Sequence, residues 1–445
     1  MLKKTIKIIT ALIILLAIGF AVYWFFDRQQ GGDGLPQNNG GFSFSNLFPF
    51  GNSNNGAPAT TTPTGAPGIN GQNYAIPTAP PRLWQISNEP QSGAVVFNAS
   101  NTPFVRFVDK ATGNIFESSL RLLGLKRISN TTIPKVYEAV WQASGNALVL
   151  RYLSDDNETI KSVYGKLASI SPLFGENTNE SESPAEKSLR ELQTAFLPEN
   201  ITSISANPST GAFSYVVKSP NKSAIFVTNP LAGSPRQIFE SEIRDFSVHW
   251  VNNTTIGLIS KPSDDAIGQF YFIKTDSGRL EKVMGERNGL IAISNSAGAK
   301  IFYSESRNNS FASGLFNPKT GEETPVPFTS LPDKCVWSNK DSYLYCAVPK
   351  SIPSGEYPDY WYQGRVSFSD TFWRIDTSTG ATEFLIDPAT VASAASVEFV
   401  SSTAPADDRT EIDAVDLILD PNEEYLVFTN KKDSKLWGLK IEKGS

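Results

Sequence analysis

The sequence contains very few of the residues that bind metals or act as nucleophiles. Its 445 residues include one histidine, two cysteines and two methionines. A structural zinc site or an iron–sulfur cluster needs about four Cys or His ligands, so this composition argues against both, and we expect no metal and no cofactor. The formal net charge is −6 at pH 7, and a nucleic-acid partner would require a basic surface that such a chain does not offer.

Recognisable catalytic motifs are also missing. A Ser-His-Asp site would have to use His249, but the sequence has no Gly-x-Ser-x-Gly elbow. We therefore expect His249 to be a packed structural residue. Acidic clusters at residues 155–158 and at Asp407-Asp408 lack the spaced oxygens and the central glycine of a calcium loop. These observations predict a protein that is not an enzyme and has no catalytic residues.

One long hydrophobic run lies at the N-terminus. Residues 8–26 are uncharged, and as a helix these 19 residues would span the bilayer core of about 30 Å. Lys3, Lys4 and Lys7 precede the run, which predicts a cytoplasmic N-terminus and an extracytoplasmic remainder by the positive-inside bias. We expect residues 1–28 to be a single-pass anchor in the cytoplasmic membrane. A cleaved signal peptide is the alternative, because Gly19-Phe20-Ala21 resembles a weak cleavage site.

Residues 29–81 are rich in glycine, proline and asparagine. Between residues 31 and 80 the only charged side chain is Asp33, and such a composition buries too little apolar surface to fold. The sequence predicts a disordered linker. The apolar island at residues 42–50 could add as a strand to a partner's sheet, or it could be a sticky patch of the linker.

From residue 82 onwards the sequence repeats one β-hairpin signature. An Asp or Asn is followed four residues later by Gly, after a run of aromatic or β-branched residues. This pattern suits a type I turn with a glycine bulge. The four copies are Asp109/Gly113, Asn229/Gly233, Asn317/Gly321 and Asp376/Gly380. A fifth copy, residues 275–278, has a shorter spacing.

A second hairpin recurs with the same period. Equivalent positions Tyr215, Ile259, Tyr303 and Tyr345 are 44, 44 and 42 residues apart. A period of 40 to 45 residues with about four strands per unit is typical of a β-propeller blade. Residues 82–445 are therefore predicted to form an all-β propeller.

The repeat resembles that of TolB-like, WD-repeat-like bacterial propellers. The similarity lies in runs such as residues 417–441 and 204–217, where a proline-containing turn joins two inner strands. Here the turn reads Asp420-Pro421-Asn422-Glu423, and no repeat contains the Pro-Asp-Gly of that family. The resemblance implies the fold. Membrane-anchored propellers of this kind also resemble uncharacterised bacterial envelope proteins.

Counting the repeats gives seven blades, with six or eight as alternatives. The last blade stops after its third strand, at residues 436–442, whereas residues 82–87 form a single strand before the first blade. We expect this N-terminal strand to dock as the outer strand of the last blade. Docking would close the ring and remove an exposed sheet edge.

Two long insertions interrupt the period on one face of the predicted ring. Residues 349–370 separate the second and third strands of the sixth blade, and residues 387–413 precede the seventh. Long loops on a rigid scaffold often carry binding function. The first insertion contains five aromatic residues that are candidates for binding a partner, namely Tyr357, Tyr360, Trp361, Tyr362 and Phe368. Alternatively, these rings plug the channel or pack under the second loop. A third insertion, residues 175–187, is expected to be a solvated loop.

Cys335 and Cys346 flank a predicted hairpin. If its loop covers residues 339–342, the two cysteines oppose each other within disulfide range. An extracytoplasmic compartment would preserve the bond, so we favour a disulfide over two free buried thiols.

The sequence thus predicts a membrane-anchored, extracytoplasmic propeller that acts as a protein-interaction or scaffold module of the cell envelope. Its partner would be another protein or a cell-wall component. The alternative is a carbohydrate-active enzyme, a glycosidase or lyase, that uses carboxylates in the central channel. A pair of channel carboxylates with raised pKa would favour the enzyme, whereas an apolar or aromatic face would favour the partner.

Overall fold

The computed structural model describes residues 79–168, 189–229, 234–391 and 411–442. Within these ranges, 28 strands form seven antiparallel sheets of four strands each. The predicted all-β propeller with seven blades is therefore confirmed. Helical structure in the described residues includes a 3-10 turn at Pro332–Lys334 and the four-residue helix α1 at Asp359–Tyr362.

The strands follow one another blade by blade, except for the first. Strand β1 is Leu83–Gln85. Blade 1 consists of β2 (Gln91–Ala99), β3 (Thr102–Asp109), β4 (Ile115–Ser119) and β5 (Lys126–Arg127). Blade 2 consists of β6 (Val136–Trp141), β7 (Ala147–Leu153), β8 (Ile160–Leu167) and β9 (Leu192–Phe196). Blade 3 consists of β10 (Ile201–Ala206), β11 (Phe213–Lys218), β12 (Ser223–Thr228) and β13 (Arg236–Ser241).

The remaining blades have the same order. Blade 4 consists of β14 (Phe246–Asn252), β15 (Thr255–Ser260), β16 (Ile267–Lys274) and β17 (Leu280–Asn288). Blade 5 consists of β18 (Ile291–Ser294), β19 (Ile301–Arg307), β20 (Ser310–Asn317) and β21 (Glu322–Pro325). Blade 6 consists of β22 (Cys335–Trp337), β23 (Tyr343–Pro349), β24 (Asp370–Asp376) and β25 (Thr382–Ile386). Blade 7 consists of β26 (Ala414–Leu419), β27 (Tyr425–Asn430), β28 (Lys435–Lys440) and β1.

The N-terminal strand closes the ring as the sequence predicts. Strand β1 pairs antiparallel with β28, and Trp84 lies opposite Gly438. The glycine is required there, because a Cβ atom at position 438 would lie 2.5 Å from the Trp84 ring. Pairing at this position leaves β28 without a free edge.

Burial falls from the inside of each blade to the outside. The first strands of consecutive blades, such as β10 and β14, lie next to each other and surround the central axis. Second strands are covered on both faces, so β27 is buried at all six positions and its sequence is almost continuously apolar. Outer strands such as β21 are exposed throughout. The core therefore lies between the faces of adjacent blades.

The predicted hairpin turns are confirmed in the described part of the chain. The amide of Gly113 donates to the carbonyl of Asp109, and the same bond recurs from Gly321 and Gly380. Each of these glycines has a φ near +74°, which a side chain would disfavour. The fifth copy corrects our expectation of a shorter spacing: Gly278 bonds to the carbonyl of Lys274, so this loop has the standard length. The Asn229 copy lies partly outside the described residues.

Cys335 and Cys346 are joined in the structure by a disulfide, with their Cα atoms 4.2 Å apart. They oppose each other in the register deduced from the sequence, and Trp337 faces Leu344 two positions further along. The disulfide therefore links the two innermost strands of blade 6.

Several sequence-based predictions fall outside the described residues. These are the anchor at residues 8–26, the linker with its island at 42–50, the insertion at 175–187, and Asp407-Asp408 within the second long insertion. In the parts of the chain that the structure describes, no helix combines the length and hydrophobicity needed to cross a bilayer.

Candidate functional site

The insertion in blade 6 crosses one face of the propeller. We call residues 350–369 the strap. The amide of Gly355 donates to the carbonyl of Asn309 at 2.8 Å, in the turn between the second and third strands of blade 5. The amide of Asp264, in the corresponding turn of blade 4, donates to Asp359 Oδ2 at 2.6 Å. The strap is thus hydrogen-bonded to two blades besides its own.

Three of the five candidate aromatic residues are buried beneath the strap. Tyr357, Trp361 and Phe368 have relative exposures of 0–2%. They pack with Ile291 and Phe311 of blade 5 in one apolar cluster. This corrects the expectation that all five rings could contact a partner, because these three hold the strap on the ring.

The other two aromatic residues remain at the surface. Tyr360 is partly exposed, and the Arg365 guanidinium stacks on its ring at 3.7 Å. Tyr362 is 41% exposed, and its hydroxyl donates to Asp333 Oδ2 at 3.1 Å. The surrounding residues restrict solvation of the phenol, and together with the charge of Asp333 this raises the pKa of Tyr362 well above its ordinary value, so the hydroxyl stays protonated at neutral pH.

A buried ion triad anchors the base of the strap. Lys334 Nζ lies 2.6 Å from Asp413 Oδ1 and 2.8 Å from Asp370 Oδ2, and all three side chains are completely buried. Lys334 also donates to the carbonyl of Ala414 at 2.9 Å. One cation therefore compensates two carboxylates. Pairing of this kind is required for charges that are removed from water.

Asp413 is the member of the triad that holds the strap directly. Its carboxylate accepts hydrogen bonds from Trp361 Nε1 at 3.1 Å, from Ser367 Oγ at 3.1 Å and from the amide of Phe368 at 3.0 Å. Burial alone would raise the pKa of Asp413, but Lys334 and these hydrogen bonds outweigh it, and the pKa lies below its ordinary value. Asp413 is therefore an anion at neutral pH.

Asp370 occupies a less favourable position. Burial, reinforced by the charge of Asp413, outweighs the attraction of Lys334 and raises the pKa of Asp370 to about 6. Its Oδ2 accepts from the amide of Ala414 at 2.7 Å, whereas its Oδ1 is buried without a partner in the described residues. Sequence reasoning missed this triad, because the only signal was three charged residues placed next to predicted strands.

Further carboxylates gather around the central axis near the strap. Asp416 lies on the innermost strand of blade 7, Glu138 on that of blade 2, and Asp333 just before that of blade 6. Asp416 is exposed to solvent, yet burial is the main cause that raises its pKa to about 6, followed by the charges of Asp333 and Glu138. Water reaches this carboxylate, but the surrounding blades restrict its solvation. We call these three residues the acidic group.

The backbone at Asp416 is unusual for a strand. A bulge between Val415 and Ile418 interrupts the pairing of β26 with β27, and Asp416 has a φ of +52°. Asp and Asn tolerate this left-handed conformation better than most residues, and bulges often redirect side chains near functional sites. Burial also raises the pKa of Asp333, so the acidic group contains two carboxyls that ionise less readily than usual.

We predict that Asp416→Asn stabilises the protein at neutral pH. The folded-state pKa of Asp416, about 6, lies above its ordinary value of 3.8, so ionisation at higher pH costs stability. Allowing for solvent screening, the gain at pH 7.5 should be about 1 kcal/mol, and it should vanish at pH ~3, where the carboxyl is protonated in both states. Urea unfolding between pH ~3 and 7.5 measures it. The exposed Asp265→Asn is the control, and a variant less stable than the wild type at pH 7.5 would contradict the prediction.

His249 lies on the innermost strand of blade 4. Its ring stacks on Phe270, with 5.6 Å between ring centroids, and covers Gly257. Burial lowers the pKa of His249 to about 4, so the imidazole is neutral at pH 7. In the described part of the chain, its Nε2 makes no hydrogen bond, and no three His, Cys, Asp or Glu side chains are arranged to hold a metal ion.

Comparisons with known proteins return similar structures only. No family model matches the sequence, and no curated protein matches it. An oligogalacturonate lyase in complex with manganese has a TM-score of 0.47 at 9% identity, over 77% of this chain and 86% of that one. The β-propeller domain of the Trilobed protease from Pyrococcus furiosus has a TM-score of 0.46 at 11% identity, over 80% and 97%. TolB from Acinetobacter baumannii has a TM-score of 0.39 at 10% identity, over 79% and 80%. The assignment of this chain as a seven-bladed β-propeller rests on its own sheet order.

Proposed function

We propose that this protein is a membrane-anchored interaction or scaffold module of the cell envelope. Residues 8–26 would anchor it in the cytoplasmic membrane with the N-terminus inside, and the propeller would lie on the extracytoplasmic side. Its partner would be another protein or a cell-wall component, bound at the face that the strap crosses.

The observation that carries this proposal is the construction of the strap. An insertion of this length would be costly to order unless its contacts compensate for the lost chain entropy. Here buried aromatic rings, the triad and hydrogen bonds to other blades hold it in one conformation. Tyr360 and Tyr362 remain accessible, and the hydroxyl of Tyr362 donates to Asp333. Tyrosine on a rigid support is favoured in binding surfaces, because little side-chain entropy is lost on contact.

Site-specific photocrosslinking in intact cells tests the proposal. We expect a photoreactive phenylalanine at position 360 or 362 to form a defined adduct that fractionates with the membrane. The control position is Phe384, which is 50% exposed on the outer strand of blade 6. Equal labelling at Phe384, no adduct at the strap positions, or an adduct in the soluble fraction would contradict the proposal.

The acidic group favours a second candidate function, a carbohydrate-active enzyme. Carboxyls with raised pKa are characteristic of general acids, and Asp333 and Asp416 both have this property near one channel. One similar fold belongs to an oligogalacturonate lyase. Release of sugar products that is abolished by Asp416→Asn would support this function over the first.

A further inference from the structure

A cleft between blades 6 and 7 opens on the face opposite the strap. Its volume is about 600 Å³, and its floor includes the turns at residues 338–342 and 421–424, which join the first two strands of each blade. Ligand pockets commonly have volumes of 300 to 1,000 Å³. The corresponding cleft between blades 4 and 5 is smaller, about 380 Å³. This cleft takes no part in the function proposed above.

One wall of the cleft departs from the repeat. Counted from the turn between the first two strands, one position of the third strand is Val227 in blade 3 and Leu315 in blade 5. The same position in blade 6 is Arg374, which lies opposite Tyr345. These two blades therefore place an apolar side chain where blade 6 places a guanidinium. A charged residue at a position that they fill with apolar side chains calls for a specific explanation.

The guanidinium of Arg374 is held in place, but not all of its N–H donors form short hydrogen bonds. It forms an ion pair with Glu383 and stacks on Tyr343 at 4.8 Å. Its Nη1 has only a long contact of 3.5 Å to the Tyr345 hydroxyl. No acceptor on blade 7 bonds to it within the described residues, so donor capacity remains toward the cleft.

Arg106 of blade 1 is a contrasting case, in which the guanidinium bonds directly to the neighbouring blade. It also pairs with a glutamate of its own blade, Glu117, and stacks on a ring, that of Phe97. Its Nη1, however, donates to the carbonyl of Gly145 at 2.7 Å and to Asn146 Oδ1 at 2.9 Å, both in the next blade. Arg106 thus joins two blades, whereas Arg374 borders an open cleft.

The opposite wall presents an acceptor. Glu423 Oε1 accepts from the amide of Asn339 at 2.8 Å, which fixes the carboxylate. Its Oε2 lies 3.4 Å from the Tyr345 hydroxyl. The side chain of Tyr345 is only 1% exposed, yet its hydroxyl contacts both Glu423 and Arg374 at distances well beyond the usual 2.7 to 2.8 Å. A ligand hydroxyl placed between these groups would satisfy all three.

The charges of the lining decide the class of ligand. Lys340 and Arg374 balance Glu423 and Glu424, so the cleft carries no formal net charge. Donors on one wall face acceptors on the other, an arrangement that suits groups able to donate and accept at once, as hydroxyls do. An anionic ligand would meet the two glutamates. We propose that this cleft is a binding site for a neutral saccharide, held by Arg374, Glu423 and Tyr345.

Titration of the purified full chain with sugars tests this proposal, in buffer and detergent without sugar groups. The probes are N-acetylglucosamine and cellobiose, with glucuronic acid as the charged comparison, and calorimetry measures Kd. We expect at least one neutral sugar to bind. Glu423→Gln and Arg374→Lys should each raise Kd at least tenfold, because the first removes a charged acceptor and the second removes the planar fork of donors that the guanidinium presents to the sugar hydroxyls. Lys319→Met, in the cleft between blades 4 and 5, is the matched control and should not change Kd.

Thermal unfolding shows first that each variant is folded. If one of these variants does not fold, Lys340→Gln replaces it, because the Lys340 side chain is exposed and has no partner in the described residues. Lys340→Gln should raise Kd about threefold. Three results would overturn the proposal: no binding of either neutral sugar, tighter binding of glucuronic acid, or unchanged Kd in all folded variants of the cleft.

Discussion

Replacing Lys334 by methionine is expected to lower the free energy of unfolding by about 3–5 kcal/mol. Methionine roughly retains the length of the side chain but removes the cation that forms ion pairs with both Asp370 and Asp413 in a site without solvent exposure. The loss should be largest at neutral pH and smallest near pH 4. Without the lysine the folded-state pKa values of both aspartates rise, and the cost disappears once the carboxyls are protonated in both states. Urea unfolding followed by tryptophan fluorescence measures the effect.

Two further variants make this result specific to the triad. Lys319→Met removes an exposed lysine and should change stability by less than about 0.5 kcal/mol. Adding Asp370→Asn to Lys334→Met removes one of the two uncompensated charges, so part of the lost stability should return. A loss below about 1 kcal/mol for Lys334→Met would show that the triad does not hold the strap as the geometry indicates.

The second large effect is expected at the closure of the ring. Trp84 is 3% exposed, lies against Gly438 and meets Tyr425 edge-on at 6.0 Å. Trp84→Ala should cost about 3–5 kcal/mol, because it leaves a cavity beside the glycine. Strand β1 has only three residues, so we also expect it to detach and to expose the edge of β28, which favours aggregation.

Thermal unfolding and limited proteolysis at the N-terminal side of β2 measure this prediction. Phe196→Ala provides the control, since Phe196 is 76% exposed on the outer strand of blade 2. The control should change stability by less than about 0.5 kcal/mol. Similar losses in both variants would mean that the seam between β1 and β28 is not a special point of weakness.

The triad and the seam stabilise the propeller at different places. The seam joins the two ends of the described chain, so its strength bears on the closure of the whole ring. The triad joins blade 6 to the start of blade 7 and supports the strap. If the strap binds a partner, as we propose, Lys334→Met should affect partner binding more than Trp84→Ala does at equal loss of stability.

The blades and their turns could be predicted because their signals are local in sequence. Asp109 and Gly113 are four residues apart, and their turn chemistry depends on each other alone. The register of Cys335 with Cys346 likewise follows from the length of one loop. Even the closure by β1 followed from counting strands, since a blade with three strands leaves one edge unpaired.

The candidate site could be predicted only in part. That the insertion of blade 6 carries the binding site remains a prediction, and the expectation that all five of its aromatic residues are available was wrong. Trp361 and Tyr362 are adjacent in sequence and equally suited to either role, and one is buried whereas the other is exposed. That difference depends on Phe311 and Ile291, which belong to another blade. No local pattern contains this information.

The sequence by itself determined the repeating strands, their turns and the way the ring closes, and it favoured seven blades over six or eight. Each of these depends on residues close together along the chain or on a simple count. Only the tertiary structure decided that Lys334, Asp370 and Asp413 meet in one buried site, that Asp416 lies near Glu138, and that Arg374 borders an open cleft. The physical reason is that burial and charge pairing depend on which surfaces the closed ring brings together, and those surfaces belong to residues far apart in sequence.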